Sequence, residues 1–183
     1  MTVIAHIDKM QRADVKRVME IERKSFSTPW HESAYITELA NPSAYYVVAR
    51  IGDRLVGYCG MWVVMDEAHI TTIAVEPENR RNRLGEQLLI AILEEAMRRG
   101  ARRVTLEVRE CNEVARRLYH KYGFVSATVR RGYYTDNGED AIVMTVHDLL
   151  SPSYQTTFRL RKQLLFEAAE QEEHASGEPI SKT

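Results

Sequence analysis

Glu107 stands in the run Val104-Thr105-Leu106-Glu107-Val108-Arg109, where apolar and polar residues alternate as they do in a strand. Alternation places Val104, Leu106 and Val108 on one face and Thr105 and Glu107 on the other. A carboxylate in a central strand is rare unless it is paired or functional. Burial would push its pKa up toward the range of a general base; an edge position or an arginine partner would make it structural instead. Tyr119 follows on a segment of helical period that starts at Asn112. It reads as a core aromatic, or as a phenol able to donate a proton to a thiolate, since the two pKa values are close. Cys111 directly precedes that segment, and a helix N-terminus could lower its thiol pKa. No histidine or carboxylate accompanies it at nucleophile-activating spacing, so a covalent cysteine route is the weaker chemistry.

A second chemistry-bearing stretch is Pro77-Glu78-Asn79-Arg80-Arg81-Asn82-Arg83-Leu84-Gly85, which sets three arginines directly before an apolar helix. Cations there oppose the helix dipole by some tenths of a kcal/mol each. Local rules are broken most often at functional sites, and an anion held by free backbone N–H groups would explain the break. A pyrophosphate would fit. The alternative is a solvated basic turn paired with Glu78 or Glu86. The GxxxxGK[ST] pattern is missing, which argues against a nucleotide triphosphatase.

The elements that must position these groups follow from periodicity. Residues 3–9 read as a short strand, Ala13 to Phe26 as an amphipathic helix, and a second short helix runs to about Leu39 before Asn41-Pro42. Strands are expected at Ala44–Ile51, Leu55–Val64 and His69–Val75. In the last of these, strict alternation puts Ile70 and Thr72 on one face but Ile73 and Val75 on the other. That phase slip predicts a bulge that splays the strand from its neighbour. Leu84–Arg99 is a strongly apolar helix stopped by Gly100. Asn112 caps the next helix, which Gly123 closes near Tyr122. Phe124–Arg131 and Asp140–Val146 form a hairpin with Asn137-Gly138 at its turn. The order β-α-α-β-β-β-α-β-α-β-β describes one mixed α/β domain over residues 1–150. A C-terminal extension, 151–183, follows Ser151-Pro152, helical over Tyr154–Ala169 and polar and frayed from Glu170 onward.

With 183 residues, 44% hydrophobic and 28% charged, the chain has the makeup of a single globular domain. A formal net charge of -1 gives no whole-molecule attraction to nucleic acid or anionic membrane. The N-terminus lacks a signal-peptide pattern and no apolar run approaches a membrane span, so a cytoplasmic protein is expected. Two cysteines and six histidines without ligand spacing predict no metal site. Nothing in the sequence specifies an oligomeric state.

Asn79-Arg80-Arg81-Asn82-Arg83-Leu84-Gly85 after Ile73-Ala74-Val75-Glu76-Pro77 resembles the acetyl-CoA motif of the GNAT superfamily. Leu106-Glu107-Val108-Arg109-Glu110-Cys111-Asn112 and Leu118-Tyr119-His120-Lys121-Tyr122-Gly123-Phe124 resemble it too. The stretch Arg130 to Met144, with Phe26-Ser27-Thr28-Pro29-Trp30, is similar to the RimI-type bacterial ribosomal-protein-alanine N-acetyltransferases. The likeness spans about residues 3–149. It implies a mostly antiparallel sheet with helices on both faces, splayed between two central strands. It also implies acetyl transfer from acetyl-CoA to the free N-terminal amine of a protein substrate, a ribosomal protein. By the same resemblance, Ile73, Ala74 and Val75 pair with the pantetheine arm, and Arg81, Asn82, Arg83, Leu84, Gly85 and Glu86 cradle the pyrophosphate. Asn112 contacts pantetheine, Glu107 accepts the amine proton, and Tyr119 protonates the departing thiolate. Trp30, Tyr133 and Tyr134 flank the peptide entrance. The usual motif glycines are replaced by Arg83 and Arg81; non-glycine residues can still adopt helical N-terminal geometry and arginine adds charge, so binding is expected to survive, the effect falling on acetyl-CoA affinity.

Overall fold

The computed structural model describes residues 2–176. Its elements are β1 (His6–Lys9), α1 (Val15–Ser25), α2 (Glu32–Ala40), β2 (Ala44–Ile51), β3 (Arg54–Val64), β4 (Glu67–Val75), α3 (Leu84–Arg98), β5 (Arg103–Arg109), α4 (Glu113–Lys121), β6 (Val125–Tyr134), β7 (Glu139–Val146) and α5 (Pro152–Ser176). This is the element order expected from the sequence, with two short 3₁₀ turns added at Arg12–Asp14 and Pro77–Asn79.

The strands form one seven-stranded sheet in the order β1-β2-β3-β4-β5-β7-β6. Only β4 and β5 run parallel; every other neighbour pair is antiparallel. Apolar clusters cover both faces. One gathers α3, α4 and α5 over Val104, Leu106 and Val108. The other packs Val15, Val18, Met19 and Ile21 of α1 with Tyr35 of α2 against Tyr46, Val48 and Tyr58.

The predicted bulge lies at Thr71. Gly60 pairs with Thr72 but Met61 pairs with Ile70, so Thr71 is the extra residue. Its insertion returns Ile73 and Val75 to the face of Ala68 and Ile70, where all four join one core. The splay follows at once. β4 pairs with β5 only from Glu67↔Arg103 to Ile70↔Leu106, and then the two strands part.

Just after β4, Glu76 is fully buried and carries three cations: Arg17 at 2.7 Å, Lys24 at 3.1 Å and Arg54 at 2.8 Å. Asn79 also donates to it at 3.1 Å. The cluster ties α1 and β3 to the segment that leads into the arginine turn. Burial pushes the Glu76 pKa up, but the three cations outweigh it and hold the carboxyl at about 2. A depressed folded-state pKa contributes stability above the ordinary value of 4.5 that is lost as pH falls toward 2. Glu76→Ala should cost about 3 kcal/mol, near the low end for a broken buried pair because its partners reach solvent. Urea unfolding measures this; an unchanged midpoint would mean the cluster adds no stability.

Helix α5 extends further than the sequence suggested, from Pro152 through Glu170 to Ser176. Phe158, Leu165 and Ala169 are buried, and the Tyr154 hydroxyl donates to the Tyr122 carbonyl at 3.0 Å. Glu172 accepts from the Thr2 backbone N–H, which holds the later turns of the helix against the start of the chain. Residues 177–183, where fraying was expected, lie outside the described residues. No helix among the described residues is long and apolar enough to cross a membrane.

Candidate active site

Where β4 and β5 part, a cleft of about 710 Å³ opens. Its floor is the fork itself: His69 to Ile73 on one side and Leu106 to Arg109 on the other, with Glu107 the first β5 residue beyond the last paired position. Beyond Ile70, the β4 edge toward β5 is unpaired, so alternate residues between Thr71 and Val75 turn amide and carbonyl groups into the gap. Such groups need partners, and an extended amide-bearing chain laid in the gap would supply them. The Val75 carbonyl is already taken by the Arg80 guanidinium at 3.1 Å.

Glu107 projects from the face that bears α1 and α2, and its side chain is only 7% exposed. Oε2 lies 3.0 Å from Nε2 of His69, and Oε1 lies 3.0 Å from Nη1 of Arg130. The other His69 ring nitrogen, Nδ1, contacts the Thr105 hydroxyl at 3.1 Å. Burial acts to raise the Glu107 pKa, as the sequence suggested. The His69 hydrogen bond and the charges of His69 and Arg130 outweigh it, and the net direction is downward. Glu107 is therefore a held anion rather than a carboxyl poised near neutrality.

Tyr119 approaches the same cleft from the opposite face, out of α4, packed at 5.8 Å against the Phe124 ring. It is 5% exposed, and burial pushes its pKa well up, so the phenol keeps its proton but is a weaker acid than the close phenol–thiol match expected from the sequence. The splay thus sets a carboxylate and a phenol on opposite sides of one opening. Asn112 also lines the cleft, its side-chain oxygen committed to capping α4 through the Ala115 N–H at 3.2 Å.

Two walls rise at the mouth. Trp30 packs on Tyr35 at 5.5 Å, and its backbone N–H donates to the buried Glu22 carboxylate at 2.9 Å. Tyr133 and Tyr134, edge to face at 5.2 Å, stand across from it on β6. The Arg109 guanidinium covers the Tyr134 ring at 3.8 Å and holds Asp136 at 2.7 Å, while Ser27 donates to Asp136 and so bridges the walls.

The arginine turn differs from expectation. Arg81 and Arg83 do not take helix-start geometry; they adopt φ of 67° and 57°, the left-handed region that favours glycine. The turn keeps the backbone path a glycine would give, at a cost of roughly 1–2 kcal/mol for each non-glycine residue. Arg83 is the N-cap of α3, so the N–H groups of Arg83, Leu84 and Gly85 have no intrahelical partners, while that of Glu86 bonds to the Arg83 carbonyl at 3.1 Å. The Leu84 side chain is core, and the Glu86 carboxylate turns to Lys121 and to the Tyr122 hydroxyl at 2.7 Å. Glu86 is thus neutralised away from the turn, whose N–H groups and two exposed arginines suit a pyrophosphate. Arg83→Gly should raise stability by up to about 1 kcal/mol, the left-handed strain relieved less the backbone freedom that glycine adds to the unfolded chain. Thermal unfolding checks this; a fall in midpoint would show that Arg83 contacts outweigh its strain.

Cys111 sits outside the cleft lining and is exposed. Its thiol pKa is raised, chiefly by a hydrogen bond with Glu139, rather than lowered by the helix start. His69, Arg130, Glu22 and Trp62 also line the cleft and were not picked out from the sequence. For His69 a signal existed: it alternates with Ala68 and Ile70, on the polar face that also carries Glu107.

The sequence profile of the Acetyltransferase (GNAT) family matches residues 15–124. A Bacillus subtilis protein named as a candidate ribosomal protein bS18-alanine N-acetyltransferase is 46% identical over 143 residues, covering 78% of this chain and 95% of that protein. The Escherichia coli ribosomal protein bS18-alanine N-acetyltransferase is 34% identical over 142 residues, with 76% and 95% covered. The crystal structure of the Escherichia coli enzyme superposes with a TM-score of 0.75 at 31% identity, covering 81% of this chain and 96% of that one. The profile takes in both the arginine turn and the fork, and these relatives span nearly their whole length: the chain belongs to the GNAT family of acetyltransferases.

Proposed function

We propose that this chain transfers the acetyl group of acetyl-CoA to the N-terminal α-amine of a protein, the N-terminal alanine of ribosomal protein bS18, by direct attack in a ternary complex in the cytoplasm. The observation that carries this reading is the fork: an anionic Glu107 and a proton-bearing Tyr119 face one gap from opposite sides of the sheet. The names of the relatives support the choice of acceptor.

In this reading Ile73 and Val75 offer backbone groups to the pantetheine chain, while Ala74 between them faces β3, opposite Tyr58. Asn112 touches the chain, and Arg81 through Gly85 hold the pyrophosphate, Glu86 being engaged by Arg83, Lys121 and Tyr122 instead. Trp30, Tyr133 and Tyr134 flank the acceptor. A carboxylate has about four lone-pair sites, so Glu107 can keep His69 and Arg130 and still accept from the incoming amine. Its low pKa makes it a poor base toward a free ammonium. Attack on the thioester carbonyl makes the nitrogen cationic and far more acidic, and Glu107 then accepts that proton. Tyr119 donates to the thiolate as the carbon–sulfur bond breaks. Splayed-strand N–H groups stabilise the oxyanion between these events.

This arrangement favours α-amines. Their pKa is near ~8 against ~10.4 for lysine, so reaching the neutral nucleophile costs roughly 3 kcal/mol less at neutral pH. A small-subunit protein mixture lacking N-terminal acetyl groups, incubated with enzyme and acetyl-CoA, tests the acceptor by intact-protein mass spectrometry. Acetyl on bS18 alone is expected; acetyl on internal lysines of many proteins would replace this assignment with a lysine-directed enzyme. Binding of acetyl-CoA with no transfer would instead mark a regulatory module.

A further inference from the structure

Arg81 and Arg83 hold left-handed backbone on either side of Asn82, and their side chains do not keep them there. Among the described residues, neither guanidinium makes a hydrogen bond or an ion pair. Non-glycine residues persist in that region only where the surroundings over-determine the path. The restraint must come from whatever holds the backbone of the turn.

That neighbour is the segment 2–5. The Val3 N–H donates to the Asn82 carbonyl at 3.4 Å, the one backbone hydrogen bond that residues 81 and 82 make among the described residues. So long a bond is weak by itself, but its donor is fixed. Gln87, on the first turn of α3 and 3% exposed, grips the segment with both ends of its amide. Its Nε2 donates to the Val3 carbonyl at 2.7 Å, and its Oε1 accepts from the Ala5 N–H at 2.9 Å. Thr2 is buried and donates its N–H to Glu172 of α5, while Ala5 joins the core that includes Leu88 and Ile90. Residues 2–5 are thus a strap across the start of α3, with one N–H aimed at the carbonyl between two strained arginines.

A turn with glycines would need no strap. Glycine enters the left-handed region about as readily as the right, whereas a released arginine returns to extended or right-handed backbone. That return would swing the Arg83 N–H away from those of Leu84 and Gly85, and the three would cease to serve one anion.

We propose that Val3 and Gln87 are positioning residues for acetyl-CoA, holding the arginine turn in the path that receives the pyrophosphate. The inference rests on the reading of that turn as the pyrophosphate site. Both residues act through Asn82 and its flanking arginines, without touching the cofactor themselves.

The test measures acetyl-CoA affinity by calorimetry for the native chain, Val3→Pro and Gln87→Leu, each repeated in an Arg81→Gly/Arg83→Gly background. Proline deletes the single N–H that reaches Asn82, and leucine removes both bonds of the bridge. The two changes reach one contact from different sides, so either carries the test if the other misfolds by circular dichroism. With the arginines present, each should weaken acetyl-CoA binding by about three- to tenfold, the worth of one hydrogen bond. Each should also quicken amide exchange over residues 82–85 of the free chain. In the glycine background the same changes should cost less than about twofold, because the path then holds unaided. Acetyl-pantetheine, which has no pyrophosphate, should bind every variant alike. Equal losses in the two backgrounds, or none in either, overturn the strap. Equal native affinity for acetyl-CoA and acetyl-pantetheine would instead overturn the pyrophosphate reading beneath it.

Discussion

Glu107→Gln lowers kcat by about 10²–10⁴-fold, the range for a lone general base, with acetyl-CoA affinity little changed. The amide keeps the shape of the carboxylate but cannot take the proton that attack makes acidic. His69 and Arg130, 3.0 Å from either oxygen, lose their anion, so a circular-dichroism check belongs beside the kinetics. The pH dependence has a definite sign. Glu107 sits below its ordinary pKa of 4.5 and is already charged across the neutral range. The rise of kcat/KM with pH therefore follows the acceptor amine, near ~8 for an α-amine, and the limb moves when the acceptor's pKa is changed. In Glu107→Gln the plateau falls and the limb stays. A limb that vanished with Glu107 would make the carboxylate the titrating group and contradict its depressed pKa. A loss well under tenfold would point to a second acceptor beyond a water.

Tyr119→Phe is expected to cost a similar factor, about 10²–10⁴ in kcat, by a different route. The ring stays packed against Phe124, so the fold and the KM for acceptor should hold. What disappears is the proton for the leaving thiolate. Burial pushes the phenol's pKa up, so it adds no alkaline limb of its own in the neutral working range. An acyl donor with a more acidic thiol leaving group needs less protonation, and the variant's deficit should shrink with it. Equal deficits for good and poor leaving groups would assign Tyr119 to packing alone.

Much of this geometry was legible beforehand because it is local. The alternation of Val104 to Val108 fixed which face Glu107 takes, and the phase slip between Thr72 and Ile73 pointed to a bulge in the strand that carries one at Thr71. The helix ends at Gly100 and Gly123 were signalled by the residues themselves, both with positive φ. The remainder was decided by contacts remote in sequence. The direction of the Glu107 pKa depends on His69 from β4 and Arg130 from β6, neither of which alternation around Glu107 can show. The Cys111 thiol is governed by Glu139, 28 residues away. The left-handed turns at Arg81 and Arg83 run against residue preference, so propensity pointed the wrong way. The later turns of α5 are held by packing and by the start of the chain, not by amphipathic pattern alone.

The most direct test is to incubate the purified chain with acetyl-CoA and two matched peptides, and to locate the acetyl group by fragmentation mass spectrometry. One peptide begins with a free alanine followed by arginine; the other has a blocked N-terminus and an internal lysine. Acetyl on the α-amine of the first peptide, with none on the second, is the predicted result. Acetyl on the lysine of the second at a comparable rate would contradict it.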